Sequence, residues 1–141
     1  MADITNEIRL ILAEKAWQAR ENAYAPYSKF KVGAAVLGID GKIYTGCNIE
    51  NVSYGLTNCG ERTAIFKMVS EGCTEFIALA LAATEDPSQT TPCGACRQVI
   101  CEFCHSIDET EIILAGKDGQ MIVETVKQLC PRPFTKFKSQ E

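Results

Sequence analysis

The chain has 141 residues, 46% of them hydrophobic and 23% charged, which predicts one folded domain over residues 1–141 and argues against intrinsic disorder. The formal net charge is −4 and the basic residues are scattered, so we do not expect binding to nucleic acid, which requires a basic face. The longest apolar run, residues 76–83, is too short to cross a bilayer, and the N-terminal segment has no signal-peptide pattern, so we expect a cytoplasmic protein without membrane contact.

The first third of the chain predicts a helix followed by a β-hairpin. Apolar residues recur at helical spacing, namely Ile4, Ile8, Ile11, Leu12 and Trp17. We expect this helix to stop before residues 24–27, because Pro26 disfavours helix in the residue before it. Residues 31–39 and 42–47 flank Asp40-Gly41, which is a strong signal for a two-residue hairpin turn.

The rest of the chain alternates helices and strands. The predicted elements are a loop over 48–58, a helix from about Cys59 to Ser70, a strand over 76–84, a loop over 85–91, a helix with Thr91 as N-cap and Pro92 as its first residue, a strand over 111–115, and a last strand followed by a short helix or irregular tail. This order predicts an α/β protein with three layers, α/β/α, around a mixed and roughly five-stranded sheet.

The eight cysteines favour a metal site, because a reducing compartment disfavours disulfides. Cys93 and Cys96 form a C-x-x-C pair at a predicted helix start, a spacing that also fits redox pairs and structural zinc sites. Cys59 stands at another helix start, where the helix dipole favours the thiolate that a metal requires. Three such ligands leave the fourth position of a tetrahedral Zn²⁺ open, which is typical of catalytic zinc.

Two charged residues follow Cys59 in the sequence. Glu61 is a candidate proton carrier beside the metal, although a helix-capping role three residues after Asn58 is the alternative interpretation. Arg62 could donate to a thiolate and offset the negative charge that three thiolates place on Zn²⁺, or it could be an ordinary surface arginine.

The spacing C-x-E followed by P-C-x-x-C resembles the zinc nucleoside deaminases, in particular small cytidine deaminases with three cysteine ligands. The resemblance covers nearly the whole chain in order. It includes residues 24–35 (YAPYSKFKVGAA), 46–51 (GCNIEN) and 97–99 (RQV). The family usually has alanine where this chain has Gly60, a departure that keeps the backbone N–H expected to contact the base but adds backbone freedom beside Glu61.

The resemblance implies hydrolytic deamination of cytidine, and of deoxycytidine, to the uridine product and ammonia, with one Zn²⁺ per subunit. Glu61 would take a proton from the attacking water, pass it to ring N3 and later protonate the departing amine. Phe30 would stack on the pyrimidine, and Asn48 and Glu50 would bind the ribose hydroxyls. The family is commonly a homotetramer whose subunits complete one another's sites, for which Tyr54 and Phe137 are candidates.

Four rival interpretations stay open at this point. Cys93, Cys96, Cys101 and Cys104 could form a structural Cys₄ zinc site, but on a continuous helix Cys101 and Cys104 lie too far along the axis to share the ion. Residues 101–105 match the C-x-x-C-H pattern of c-type haem attachment, which normally requires export. The chain could also be a non-catalytic nucleoside-binding protein that uses zinc for stability, or a deaminase of a related cytosine nucleoside.

Overall fold

The structure is a computed structural model, and it describes residues 3–135. The helices are α1 (Asn6–Arg20), α2 (Gly60–Ser70), α3 (Gly94–Phe103) and α4 (Val126–Leu129), and the strands are β1 (Gly33–Gly38), β2 (Ile43–Cys47), β3 (Phe76–Ala82), β4 (Glu111–Ala115) and β5 (Met121–Thr125). No helix within residues 3–135 combines the length and the apolar composition needed to span a membrane.

The strands form one five-stranded sheet in the order β2-β1-β3-β4-β5. The central pair, β3 and β4, is parallel, and the other pairs are antiparallel, so the predicted mixed sheet is confirmed. The β1–β2 pair is the predicted hairpin, with Gly41 at its turn in a left-handed conformation (φ 82°) that glycine adopts without strain.

The two faces of the sheet bury side chains of different size. One face is built mainly from small residues, and α1 packs on it through Leu12 and Ala16; the strand residues of this face are Ala35, Ala78, Ala80, Ala82, Ile113 and Ala115. The opposite face carries larger residues against α2, α3 and α4, among them Val36, Leu79, Leu81, Ile112 and Leu114. The predicted three-layer α/β/α arrangement is therefore confirmed.

Two glycines let helices approach the sheet closely. A Cβ atom on Gly33 would lie 2.0 Å from the Ala16 carbonyl oxygen of α1, and one on Gly46 would lie 2.4 Å from the Ala64 nitrogen of α2. Real Cβ atoms do not make contacts this short, so the backbones of helix and strand touch directly at both points. The contact at Gly46 holds the N-terminal half of α2 against the sheet.

The start of α3 differs from the prediction. Cys93, not Thr91, is the N-cap, and Pro92 lies outside the helix. The Cys96 N–H, which in a longer helix would bond the Pro92 carbonyl, instead lies 3.4 Å from Cys93 Sγ, and the Pro92 carbonyl accepts from the Arg97 side chain. The Asn58 capping interpretation is also wrong, because Cys59 is the N-cap of α2.

Candidate active site

Three thiols from two helix starts meet at one point. Cys59 is the N-cap of α2, Cys93 is the N-cap of α3, and Cys96 lies in the first turn of α3. Their sulfur atoms all lie within 4.8 Å of one another, with 4.0 Å between Cys59 and Cys93 and 3.4 Å between Cys93 and Cys96. Among residues 3–135 this is the one cluster of three or more cysteine, histidine or acidic side chains able to share an ion.

The cluster fits a tetrahedral zinc ion. Zinc–sulfur bonds of about 2.3 Å at tetrahedral angles place the sulfur atoms about 3.8 Å apart, close to the separations found here. The donor set is also appropriate, because thiolates at helix N-termini are preferred zinc ligands. The chain thus has a zinc-binding centre in which Cys59, Cys93 and Cys96 could hold one zinc ion.

Hydrogen bonds and charge favour the thiolate form of Cys59 in this cluster. A hydrogen bond from Cys96, together with the Arg62 guanidinium, lowers the pKa of Cys59 to about 5. The Nη2 atom of Arg62 donates to Cys59 Sγ at 3.2 Å, and this contact raises the pKa of Arg62. The pKa of Cys96 is raised because Cys59 takes the charge first and because Cys96 is buried. Arg62 is therefore not a free surface arginine.

Glu61 lines a cavity beside this cluster and is only 4% exposed. It is the second residue of α2, so its carboxyl group is carried beside Cys59 by the first helical turn. Burial raises its pKa to about 7, and the negative charge on Cys59 acts in the same direction. A buried carboxyl group beside a metal site can exchange protons with a molecule bound there.

The cavity above these residues has a volume of about 300 Å³. Its lining residues come from the segment between α1 and β1, the segment between β2 and α2, the start of α2, the end of β3, and the segment between β3 and α3; they are Ser28, Phe30, Val32, Asn48, Glu50, Thr57, Cys59, Glu61, Leu81, Ala83, Gln89, Thr90, Thr91 and Cys93. The structure therefore brings Phe30, Asn48 and Glu50 together with Cys59 and Glu61, as the resemblance predicts.

Asn48 and Glu50 line the cavity, and their side chains also hydrogen-bond the backbone that forms its wall. Asn48 accepts from the Val32 N–H and donates to the Phe30 carbonyl, both at 2.8 Å, which fixes the backbone below the exposed Phe30 ring. Glu50 accepts from the N–H groups of Tyr27 (2.9 Å) and Ser28 (3.1 Å) and from the Ser28 hydroxyl, and the Ser28 hydroxyl is the main cause of its lowered pKa.

The remaining predicted residues occupy different positions. Gly60 is buried at the start of α2, and a Cβ atom there would lie 3.1 Å from the Val32 carbonyl oxygen, so the cavity wall is closely packed at this point. Tyr54 is exposed, outside the residues that line the main cavity, and its ring lies 6.0 Å from that of Tyr27. Phe137 lies outside the described residues.

The other metal interpretations are not supported by the positions of Cys101 and Cys104. Helix α3 is continuous from Gly94 to Phe103, so Cys101 lies in its last turn and Cys104 follows its end, both at the opposite end from Cys93. Cys101 is buried in the core, and Cys104 packs against the same cluster of apolar side chains. The side chain of His105, which completes the haem-like pattern, contacts Glu75 at 3.2 Å.

Several cavity residues were not predicted from the sequence. Leu81 and Ala83 line its floor at the end of β3, and Gln89, Thr90 and Thr91 line one side of it. Thr91 could have been anticipated because it directly precedes the P-C-x-x-C motif. Nothing in the sequence distinguishes Leu81 and Ala83 from other residues of an apolar strand.

Comparison with known proteins agrees with this geometry. A family model described as "Cytidine and deoxycytidylate deaminase zinc-binding region" matches residues 7–113. The chain is 52% identical over 131 residues to a cytidine deaminase from Sporosarcina psychrophila (92% of this chain, 93% of the relative). It is 51% identical over 128 residues to one from Halalkalibacterium halodurans (90% and 94%).

Solved structures show the same relationship. The crystal structure of cytidine deaminase from Burkholderia pseudomallei is 43% identical, with a TM-score of 0.76, over 93% of this chain and 100% of that one. The structure of cytidine deaminase from Mycobacterium tuberculosis is 36% identical, with a TM-score of 0.74, over 95% and 100%. The fold, the three-cysteine centre and the matching family model together show that the chain belongs to the zinc-dependent cytidine and deoxycytidylate deaminase family.

Proposed function

We propose that this chain catalyses the hydrolytic deamination of cytidine, and of deoxycytidine, to the corresponding uridine and ammonia. The observation that carries the proposal is the position of Glu61, a buried carboxyl group that lines the same cavity as Cys59 and Cys93 of the three-cysteine cluster. Zinc held only for stability needs no proton carrier at its side. We propose that residues 1–141 form a single domain that carries Glu61 and the three cysteines.

The reaction needs one nucleophile and two proton transfers. Zinc bound to Cys59, Cys93 and Cys96 supplies Lewis acidity that makes water nucleophilic near neutral pH. Glu61 takes a proton from the attacking water and delivers it to ring N3 while C4 of the base becomes tetrahedral. Glu61 then takes a second proton from the new hydroxyl group at C4 and delivers it to the amino group, which leaves as ammonia while the C4 carbonyl forms. Its burial beside the cluster allows one carboxyl group to serve both transfers.

The cavity chemistry favours an uncharged nucleoside over a nucleotide. No lysine or arginine is among the described residues that line it, whereas Glu50 and Glu61 both are. A phosphate group would meet acidic side chains there without a basic partner. We propose that the Phe30 ring stacks on the pyrimidine, that Gly60 offers its N–H to the base, and that Asn48 and Glu50 bind the ribose hydroxyls.

We propose further that the active assembly is a homotetramer in the cytoplasm. The segment after β2 exposes large apolar side chains, namely Val52, Tyr54 and Leu56. Such a group of exposed apolar residues is typical of an interaction surface. Tyr54 lines a second cavity with Ser28 and Glu50, so a neighbouring subunit covering this segment would also complete the substrate site.

The test is the Glu61→Gln variant, assayed by the loss of cytidine absorbance and by ammonia release. The amide keeps the shape of the side chain but cannot carry the proton, so we expect kcat to fall by about 10²–10⁴-fold with zinc content unchanged. Glu71→Gln, at the exposed C-terminal end of α2, is the matched control and should retain full activity. Near-normal turnover by Glu61→Gln would contradict the proposed mechanism.

The same assay separates the alternative functions. A non-catalytic zinc protein would bind the metal but release no ammonia from any cytosine nucleoside. A deaminase of a related nucleoside would be inactive on cytidine and deoxycytidine but active on an analogue with an altered sugar or base. Comparing kcat/KM for cytidine and deoxycytidine then measures how much the 2′-hydroxyl contributes to binding.

A further inference from the structure

Arg97 holds the polypeptide on both sides of Cys93. Its backbone N–H donates to the Cys93 carbonyl at 2.9 Å, and its side-chain Nε donates to the Pro92 carbonyl, also at 2.9 Å. Pro92 has no N–H, so its carbonyl is the one backbone group through which hydrogen bonds can hold that residue. The first bond is a main-chain helix bond that any residue except proline would make, whereas the bond to Pro92 requires the half-buried arginine side chain.

The second arm of the guanidinium reaches a different part of the fold. Nη1 of Arg97 donates to the carbonyl of Leu129, the last residue of α4. That end of the chain is itself well anchored, because the Val126 N–H donates to the Thr110 carbonyl and Val126 and Leu129 are buried in the core. Arg97 therefore ties the segment before Cys93 to a fixed point outside the cavity.

Cys93 needs such support more than the other two cysteines. Cys96 is fully buried within α3 and Cys59 precedes a helix packed against the sheet, whereas Cys93 is exposed and follows the loop over residues 84–92. The position of its Sγ atom depends on the direction in which the chain runs from Pro92 into the helix. A change in that direction would move one of the three sulfurs relative to the other two.

We propose that Arg97 is a positioning residue for the zinc centre. By donating hydrogen bonds to the Pro92 and Leu129 carbonyls, its side chain holds Cys93 in place relative to Cys59 and Cys96. The arrangement needs the planar fork of an arginine, because two donors must point at two carbonyls at once. A lysine ammonium at this position would reach one carbonyl and leave the other without its partner. The inference rests on the proposed zinc ligands and adds a residue that does not touch the metal.

The test compares Arg97→Met and Arg97→Lys with wild type and with Arg9→Met. Arg9 is the matched control, because it makes a two-armed ion pair with Glu111 between α1 and β4, on the face of the sheet opposite α3. The readouts are the rate of zinc release to excess chromophoric chelator, the thiolate-to-cobalt charge-transfer band after cobalt substitution, and the melting temperature of the zinc-loaded protein.

Residues that support a metal ligand typically contribute 10- to 100-fold to metal affinity, so we expect Arg97→Met to release zinc about 10–100-fold faster and to show an altered cobalt band. Arg97→Lys should fall between it and wild type. Arg9→Met should lower the melting temperature while releasing zinc at the wild-type rate.

Zinc release from Arg97→Met no faster than from Arg9→Met would overturn the inference. If Arg97→Met does not fold, Arg97→Lys is judged by the same comparison. Wild-type protein that binds no zinc would overturn the proposed function, and this inference with it. Wild-type protein that binds zinc, with Arg97 variants that release it at the wild-type rate, would overturn this inference alone.

Discussion

The Nη2 atom of Arg62 lies 3.2 Å from the Sγ atom of Cys59, so a permanent positive charge touches one of the three clustered thiols. Three thiolates carry one more negative charge than Zn²⁺ neutralises, and this excess weakens the metal as a Lewis acid. A guanidinium hydrogen bond draws electron density from the sulfur and offsets part of the excess. Through this contact, Arg62 affects the net charge around the whole three-cysteine centre.

Replacing Arg62 by glutamine should therefore weaken both zinc binding and turnover. We expect kcat to fall by about 10–100-fold, because the uncharged amide cannot offset the thiolate charge. Arg62→Lys should lose less, since it keeps the charge but not the geometry. Steady-state kinetics with cytidine and zinc analysis of the dialysed proteins measure both effects. Wild-type kcat in Arg62→Gln would show that the contact with Cys59 does not affect catalysis.

Phe30→Ala should raise KM for cytidine with little loss of stability. The ring is 48% exposed at the cavity edge, so folding gains little from it, whereas stacking on a base is worth about 1–3 kcal/mol, or about 5–150-fold in KM. Phe66→Ala is the control, because Phe66 is similarly exposed (45%) but lies on α2 outside the residues that line the cavity. Equal KM values for the two variants would argue against stacking.

Gly33→Ala should severely destabilise the fold. The added methyl group would lie 2.0 Å from the Ala16 carbonyl oxygen and 2.4 Å from the Arg20 nitrogen, so α1 would have to move away from β1. Overpacking of this kind typically costs about 1–3 kcal/mol or more. Gly55→Ala should be close to neutral, because a methyl group added there would meet no other atom within 4 Å. Urea denaturation of the two variants gives the comparison.

The hydrogen bond between Tyr44 and Asp40 should make stability fall at alkaline pH. The Tyr44 hydroxyl donates to Asp40 Oδ2 at 2.6 Å, and this bond raises the pKa of Tyr44 to about 12. The unfolded chain loses this proton near the ordinary value of 10.0, so stability is fully present below that pH and is lost as the pH rises toward 12.

Denaturation midpoints measured at increasing alkaline pH test this linkage. The wild-type midpoint should fall more steeply above pH 10 than that of Tyr44→Phe, which has no proton to lose at this position. Asp40→Asn should lie closer to Tyr44→Phe, because the amide removes the charge that opposes ionisation of Tyr44. Identical pH profiles for wild type and Tyr44→Phe would exclude the linkage.

Much of the architecture was predictable because local patterns agreed with the final fold. The Asp40-Gly41 turn, the strand over residues 111–115 and the helix ending at Ser70 all carry their signals within a few residues. The predicted start of α3 was wrong because its local signal, Thr91-Pro92, competes with a tertiary contact. The Arg97 side chain takes the Pro92 carbonyl, and that contact depends on where Leu129 lies.

Some residues of the candidate site could likewise be predicted from the sequence, and others could not. Cys59, Glu61, Cys93 and Cys96 could be identified because zinc chemistry needs those side chains at a recognisable spacing. Leu81, Ala83 and Thr90 could not, since their contribution comes only from the packing of β3 and the following loop against the cavity. Residues that contribute only their shape are harder to identify from one sequence than residues that contribute a reactive group.

The sulfur atoms of Cys59 and Cys93 approach to 4.0 Å across a separation of 34 residues. An ion shared between them would act as a reversible cross-link, closing a loop that contains the whole of α2 and β3. By the loop-entropy rule for cross-links, holding the ion across these 34 residues would cost the unfolded chain about 4 kcal/mol of conformational entropy at 25 °C, so the ion binds the folded chain preferentially. The ion that confers reactivity thus also stabilises the folded state, and resistance to heat becomes tied to metal supply.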